Sequence, residues 1–224
     1  MVVVVAIQFR SMDDPTSAHN PTVFLSSSIP DPDRWDQDFD ALEITDAVVA
    51  LCRACLTRGY RVVTAAHPTI APLLLYVAAE FPQSASSRIL IYQSLLFEDV
   101  LPTATRRFEA DRVGEVIWTP AIEGEEPAPG RWDESLRTMR EKMLSESQPV
   151  AAVFVGGMEG IFAEFEMVRE IFPHIRTYSA GMPGGAASQL AENMPGPLGD
   201  ELRRNRIYPS LWWAVLDDIE AVTA

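Results

Sequence analysis

Short apolar runs alternate with amphipathic stretches along most of this chain. Residues 23–26 form an apolar run that closes on Ser26-Ser27-Ser28, and the pattern predicts a strand there. Residues 29–36 are rich in Pro and Asp and predict a loop. Over 42–57 the apolar positions Ile44, Val48, Leu51, Cys52 and Cys55 recur at helical spacing, and Gly59 follows as a stop. Further strands are predicted at 61–64, 89–92, 115–118, 150–155 and 176–179, with 150–155 the most apolar and central. Helices are predicted between them at 72–81, after Pro102, at 132–145 (Leu136, Met139, Met143 and Leu144 on one side), at 161–171 and at 186–192. Residues 2–7 read as a strand or an extension, and 208–222 as an apolar helix packed on the body.

Strands that alternate with helices imply right-handed β-α-β crossovers. The expected fold class is therefore α/β: a Rossmann-like, doubly wound, mostly parallel sheet with helices on both faces. At 224 residues the chain suits one large domain better than two small ones. The expectation is a single domain over 1–224, with a core at 22–190 and a helical tail at 200–224. Ligands of such sheets bind beyond the carboxyl ends of strands. That rule directs attention to the loops at 26–30, 64–69, 92–95 and 156–160.

Charge and composition narrow the chemistry. The formal net charge is −14, from 32 acidic and 18 basic residues. Such a surface repels phosphate backbones and anionic membranes, so neither nucleic acid nor membrane is expected as a partner. A small anionic ligand remains compatible, because a helix N-terminus supplies local positive potential. The longest apolar runs fall far short of the roughly 20 residues a membrane span needs. Residues 1–7 lack a basic n-region and a small-residue cleavage site, so no signal peptide is expected. The two cysteines, Cys52 and Cys55, form a lone CxxC within a helical stretch and read as core residues. Two free thiols suit a reducing compartment, and a cytoplasmic location is expected. His19, His67 and His174 are the only histidines, and no second metal-ligand motif occurs, so no metal and no cofactor is expected.

Four loops carry candidate chemistry. Gly156-Gly157-Met158-Glu159-Gly160 lies between an apolar strand and a helix, where phosphate is the natural guest; a plain strand-to-helix turn would use the same glycines. Glu164, one helical turn on, can point back at the cleft and accept ribose hydroxyls, or stabilise an oxocarbenium ion. Alternatively, Glu164 and Glu166 are solvated helix residues. In Ala65-Ala66-His67-Pro68-Thr69, Pro68 stiffens the turn. His67 there is a ligand contact or a structural hydrogen bonder, and Thr69 a helix cap that reaches phosphate. Ser26 and Ser27 offer hydroxyls to a ribose or to their own backbone. Gly184 and Gly185 open the helix at 186–192 and wall a pocket or form a tight turn. Trp212-Trp213 in the tail suits core or an oligomer interface.

Taken in order, these segments resemble the SLOG superfamily, which unites the DNA-processing Smf/DprA proteins with the LOG phosphoribohydrolases. The resemblance is carried by Val23–Pro30 (VFLSSSIP), Ala65–Leu73 (AAHPTIAPL), Val153–Gly160 (VFVGGMEG) and Pro183–Ala187 (PGGAA). It is greatest to the sensor branch found with sirtuin-like or TIR partners in bacterial antiviral systems. The resemblance implies a receptor for a nucleotide or NAD-derived, ADP-ribose-like ligand in bacterial defence signalling. It implies ligand contacts from Ser26, Ser27, Ala66, His67, Pro68, Thr69, Gly156, Gly157, Met158, Glu159, Gly160, Gly184 and Gly185. A homo-oligomer and a separate effector protein are the partners it implies.

The alternative it implies is an enzyme. LOG members cleave the N-glycosidic bond of nucleoside monophosphates with a GGxGTxxE motif and an upstream arginine. Gly156-Gly157 followed by Gly160-Ile161-Phe162-Ala163-Glu164 looks like that motif with one residue inserted and Ile161 in place of the threonine. Glu164 and Arg140 would then be the catalytic residues.

Overall fold

A computed structural model describes residues 20–81, 88–128 and 130–223. The expected element at 2–7 lies outside the described residues. The chain runs β1 (Thr22–Ser28), α1 (Ala41–Thr57), β2 (Arg61–Ala65), α2 (Ala71–Ala78), β3 (Ile89–Ser94), a 3₁₀ turn (Leu95–Val100), α3 (Thr103–Ala110) and β4 (Glu115–Thr119). It continues through α4 (Asp133–Ser147), β5 (Ala151–Gly156), α5 (Gly160–Ile171), β6 (Arg176–Ala180), α6 (Ala186–Glu192), α7 (Gly196–Arg204) and α8 (Tyr208–Thr223).

Local chemistry explains several boundaries. The Asp40 carboxylate accepts hydrogen bonds from the Leu42 and Glu43 amides at 2.9 and 3.0 Å and starts α1. Trp132 supplies no side-chain cap for α4; Glu125, from the preceding loop, accepts the Glu134 and Ser135 amides instead. The sequence pattern starts the helical tail at 200, whereas α7 begins at Gly196, with a proline in its first turn. It also places the serines at the end of a shorter strand, whereas β1 runs to Ser28 and buries every residue.

The sheet holds six strands in the order β4-β3-β2-β1-β5-β6, and every pairing is parallel. This is the α/β, Rossmann-like arrangement. Strands β1, β3 and β5 are buried along their whole length, as strands covered on both faces must be. Alternate side chains feed two cores. Val23, Leu25, Val153 and Val155 pack with α1, α2 and α8. Phe24, Val63, Ala152 and Phe154 pack with Met139 and Met143 of α4, Ile161 and Val168 of α5, and Ala186 and Ala187 of α6. Cys52 and Cys55 are both fully buried in α1, and burial pushes the Cys55 thiol up to about 12. Both are therefore protonated core residues.

The order matters for the site. The chain steps outward from β1 to β4, then crosses back to β5 on the other side of β1. The connections leaving β1 and β5 diverge, and a crevice opens above these two strands.

Candidate functional site

Three elements converge on that crevice. The pleat of β1 sends Ser26 to the same face as Phe24, toward α5. Its hydroxyl donates to Glu164 Oε2 at 2.5 Å. Arg140, reaching over from α4, donates its Nε to Glu164 Oε1 at 2.7 Å. Glu164 is only 8% exposed, so its carboxylate is buried with one donor on each oxygen. A buried carboxylate requires such partners. The solvated-helix reading holds for Glu166, which is exposed, but not for Glu164. Arg140 also lies beside the start of α5: a side chain at Gly160 would meet its Nη2 at 3.4 Å.

The loop after β2 adds a neutral donor. The Ile29 amide donates to Thr69 Oγ1 at 3.3 Å, and Thr69 Oγ1 lies 2.8 Å from His67 Nδ1. The Thr69 amide also donates to Nδ1, at 3.4 Å, which makes that nitrogen an acceptor and leaves the proton of the neutral ring on Nε2. Burial lowers the His67 pKa to about 4, and the Glu164 charge opposes that shift only in part. At neutral pH the imidazole is uncharged.

The glycine loops stack on one another. Gly157 has φ +73°, and a side chain there would collide with Ile161. The Gly157 amide donates to the Ser28 carbonyl at 2.7 Å, and its carbonyl accepts from the Ala186 amide at 2.9 Å. Gly185 has φ +69°, and a Cβ there would sit 2.7 Å from the Gly156 carbonyl carbon. Thus β5–α5 and β6–α6 form one backbone layer above the sheet. The N-cap of α5, Glu159, makes no side-chain cap. That N-terminus presents its positive dipole end beside Arg140.

Not every candidate joins the cluster. Ser27 points to the opposite face of β1 and donates to the Val155 carbonyl at 2.8 Å. The Ala66 amide is taken by the Tyr92 carbonyl. Pro68, Glu159 and Gly160 are exposed, Met158 is half-buried, and Gly184 pairs with Phe39 in an isolated bridge. Two features went unforeseen. The 31–38 segment reaches the glycine layer through the Asp38 carbonyl, which accepts the Gly185 amide at 3.0 Å. Trp35, in the same segment, is 7% exposed, and its indole N–H has no hydrogen-bond partner among the described residues. A lone tryptophan among Asp31, Asp33 and Asp36 was the available signal. Two surface clefts, of about 360 and 930 Å³, lie elsewhere, and neither is lined by Ser26, His67, Arg140 or Glu164.

The comparison with known families decides the kinship. The model of the SLOG cluster3 family matches residues 34–216. The chain belongs to the SLOG cluster3 family. No curated protein matches it. The family match begins after β1, yet β1 is the strand that brings Ser26 to Glu164. Membership in a SLOG family is consistent with a nucleotide-related function. Among the described residues, no group of three or more His, Cys, Asp or Glu could hold a metal ion, and no helix is long and apolar enough to cross a membrane.

Proposed function

We propose that this SLOG cluster3 chain binds a nucleotide or NAD-derived, ADP-ribose-like ligand above β1 and β5, as a sensor in bacterial defence signalling that acts through a separate effector protein. The observation that carries the reading is the Glu164 carboxylate, buried where the strand order reverses and held by Ser26 and Arg140. A carboxylate has about four lone-pair sites, so two remain to accept ribose hydroxyls. The α5 N-terminus and the Arg140 guanidinium suit a phosphate, and the His67 Nε2–H supplies an uncharged donor.

Binding alone fits this geometry better than cleavage. Both Glu164 oxygens already accept hydrogen bonds, which spreads the charge that an oxocarbenium ion would need. Ile161, where LOG enzymes carry a hydroxyl, is buried and packs under Gly157. The test is a melting screen with AMP, ADP-ribose, NAD and cyclic ADP-ribose isomers. At a hundredfold excess over Kd, the correct ligand stabilises the fold by about 2.7 kcal/mol. Glu164→Gln should lose most of that gain, since it removes the acceptor charge. No shift with any of these ligands would overturn the reading.

The Arg140–Glu164 ion pair supports a second reading, hydrolysis of a nucleoside monophosphate at its N-glycosidic bond. It predicts release of free base, abolished in Glu164→Gln. Binding without base release leaves the sensor reading standing alone.

A further inference from the structure

The outer face of α1 and α8 has no part in the crevice. It carries a groove of about 360 Å³ whose lining includes Asp46, Val49, Ala50, Arg53, Thr57 and Trp213. Large apolar side chains are exposed along the same elements: Leu42 at the start of α1 is 77% exposed, Ile207 just before α8 68% and Trp213 in the groove wall 41%. We propose that this face is a two-fold homodimer interface, in which α1 pairs antiparallel with α1 of a second copy and crosses it at Val49–Ala50.

The charge pattern of α1 points to a second copy as the occupant. Asp46 and Arg53 lie seven residues apart, two helical turns, and so share one face. They are spaced evenly about Val49–Ala50. A two-fold axis at that point sets each Asp46 against the other copy's Arg53. Such self-complementarity is what an isologous interface requires. The same register sets Leu42 against Thr57, at the groove that Trp213 walls, so an exposed leucine of each copy meets a groove of the other. Ala50 at the crossing lets the helices approach to the roughly 8–10 Å of packed pairs.

The local ion balance fits as well. Asp46 has no ion-pair partner among the described residues. Arg53 gives Nε and Nη2 to Glu80, which leaves Nη1 for a further acceptor. Arg58 is matched by Asp217 and Glu220, and Arg206 by Glu43. The charged groups named here sum to −2 of the chain's −14, and the two Asp46–Arg53 junctions offset the repulsion that remains between copies.

Sedimentation equilibrium of the full chain tests the proposal. The expected mass is twice the 24.8 kDa of one chain. Asp46→Arg and Arg53→Asp each place like charges at both junctions and should weaken dimerisation about a hundredfold or more. Mixing the two variants in equal amounts should restore the dimer, because each junction of the mixed dimer again joins opposite charges. Arg53→Asp also breaks the contact with Glu80, so Leu42→Glu serves as a second probe. That site is open to solvent, and an acid suits the first turn of a helix. Leu42→Glu should keep the circular dichroism of the parent and lose the dimer. A monomeric parent, a mixture that stays monomeric, or a Leu42→Glu variant that dimerises as tightly as the parent would each overturn the interface.

Discussion

His67 titrates against its surroundings. Its pKa in the folded chain is about 4, set by burial, against about 6.5 when unfolded. As pH falls, the unfolded chain takes the proton first, so acid favours unfolding. The stabilisation is complete above pH 6.5 and is lost as pH falls through 4. The shift corresponds to about 3 kcal/mol. Carboxylates titrate in the same range, so the informative quantity is the difference between parent and His67→Gln. Urea unfolding at pH 7, 5.5 and 4 should show a flatter pH dependence in the variant; parallel curves would refute the burial account. At this scale the sequence was partly legible. Motif spacing singled out Glu164, but only the fold shows that it is buried. Ser26 and Ser27 read alike in sequence, and the pleat separates them: one hydroxyl meets Glu164, the other the Val155 carbonyl. Nothing in a run of three serines reveals which way each faces.

Strand-to-helix turns carry the site, and their glycines differ in kind. Gly185 and Gly196 both have positive φ, +69° and +74°. A Cβ at Gly185 would press on the Gly156 and Gly157 backbone, whereas one at Gly196 would meet nothing within 4 Å. Alanine at Gly196 therefore meets only the left-handed penalty, about 1 kcal/mol. Alanine at Gly185 adds a clash with backbone that cannot rotate away, and should destabilise by about 3 kcal/mol or more. It should also separate the two glycine loops and weaken any ligand held between them. Thermal unfolding of the two variants side by side checks this; equal losses would show that the stacking of loops carries no energy. Periodicity located the helices and strands because apolar spacing encodes burial. It did not separate α7 from α8 within the tail expected at 200–224, nor place its start at Gly196, since a Pro-Gly-Pro start resembles a loop until its packing against β6 is known.

Strand order belongs to the whole molecule. The sequence predicts parallel strands but cannot say that β1 lies between β2 and β5, because that depends on which crossovers pack together. The tail shows the same dependence. Tandem tryptophans read as core or interface, and the structure divides them: Trp212 is fully buried and donates to the Ala47 carbonyl at 2.8 Å, while Trp213 is exposed beneath the Arg58 guanidinium. Leu211, Trp212, Val215, Leu216 and Ile219 of α8 are all buried in the core that α1 shares. Each such side chain contributes about 1.5–3 kcal/mol, so together they contribute roughly 10 kcal/mol. That is comparable with the roughly 5–15 kcal/mol that holds a whole domain folded. A chain truncated after Arg206 would also leave the flank of α1 bare around Ala47, whose carbonyl accepts from the Trp212 indole. It should therefore lose cooperative unfolding altogether, rather than melt a few degrees earlier. Calorimetry decides between these outcomes: a sharp transition in the truncated chain, with an unfolding enthalpy near that of the parent, would mean that α8 is an appendage and not part of the core.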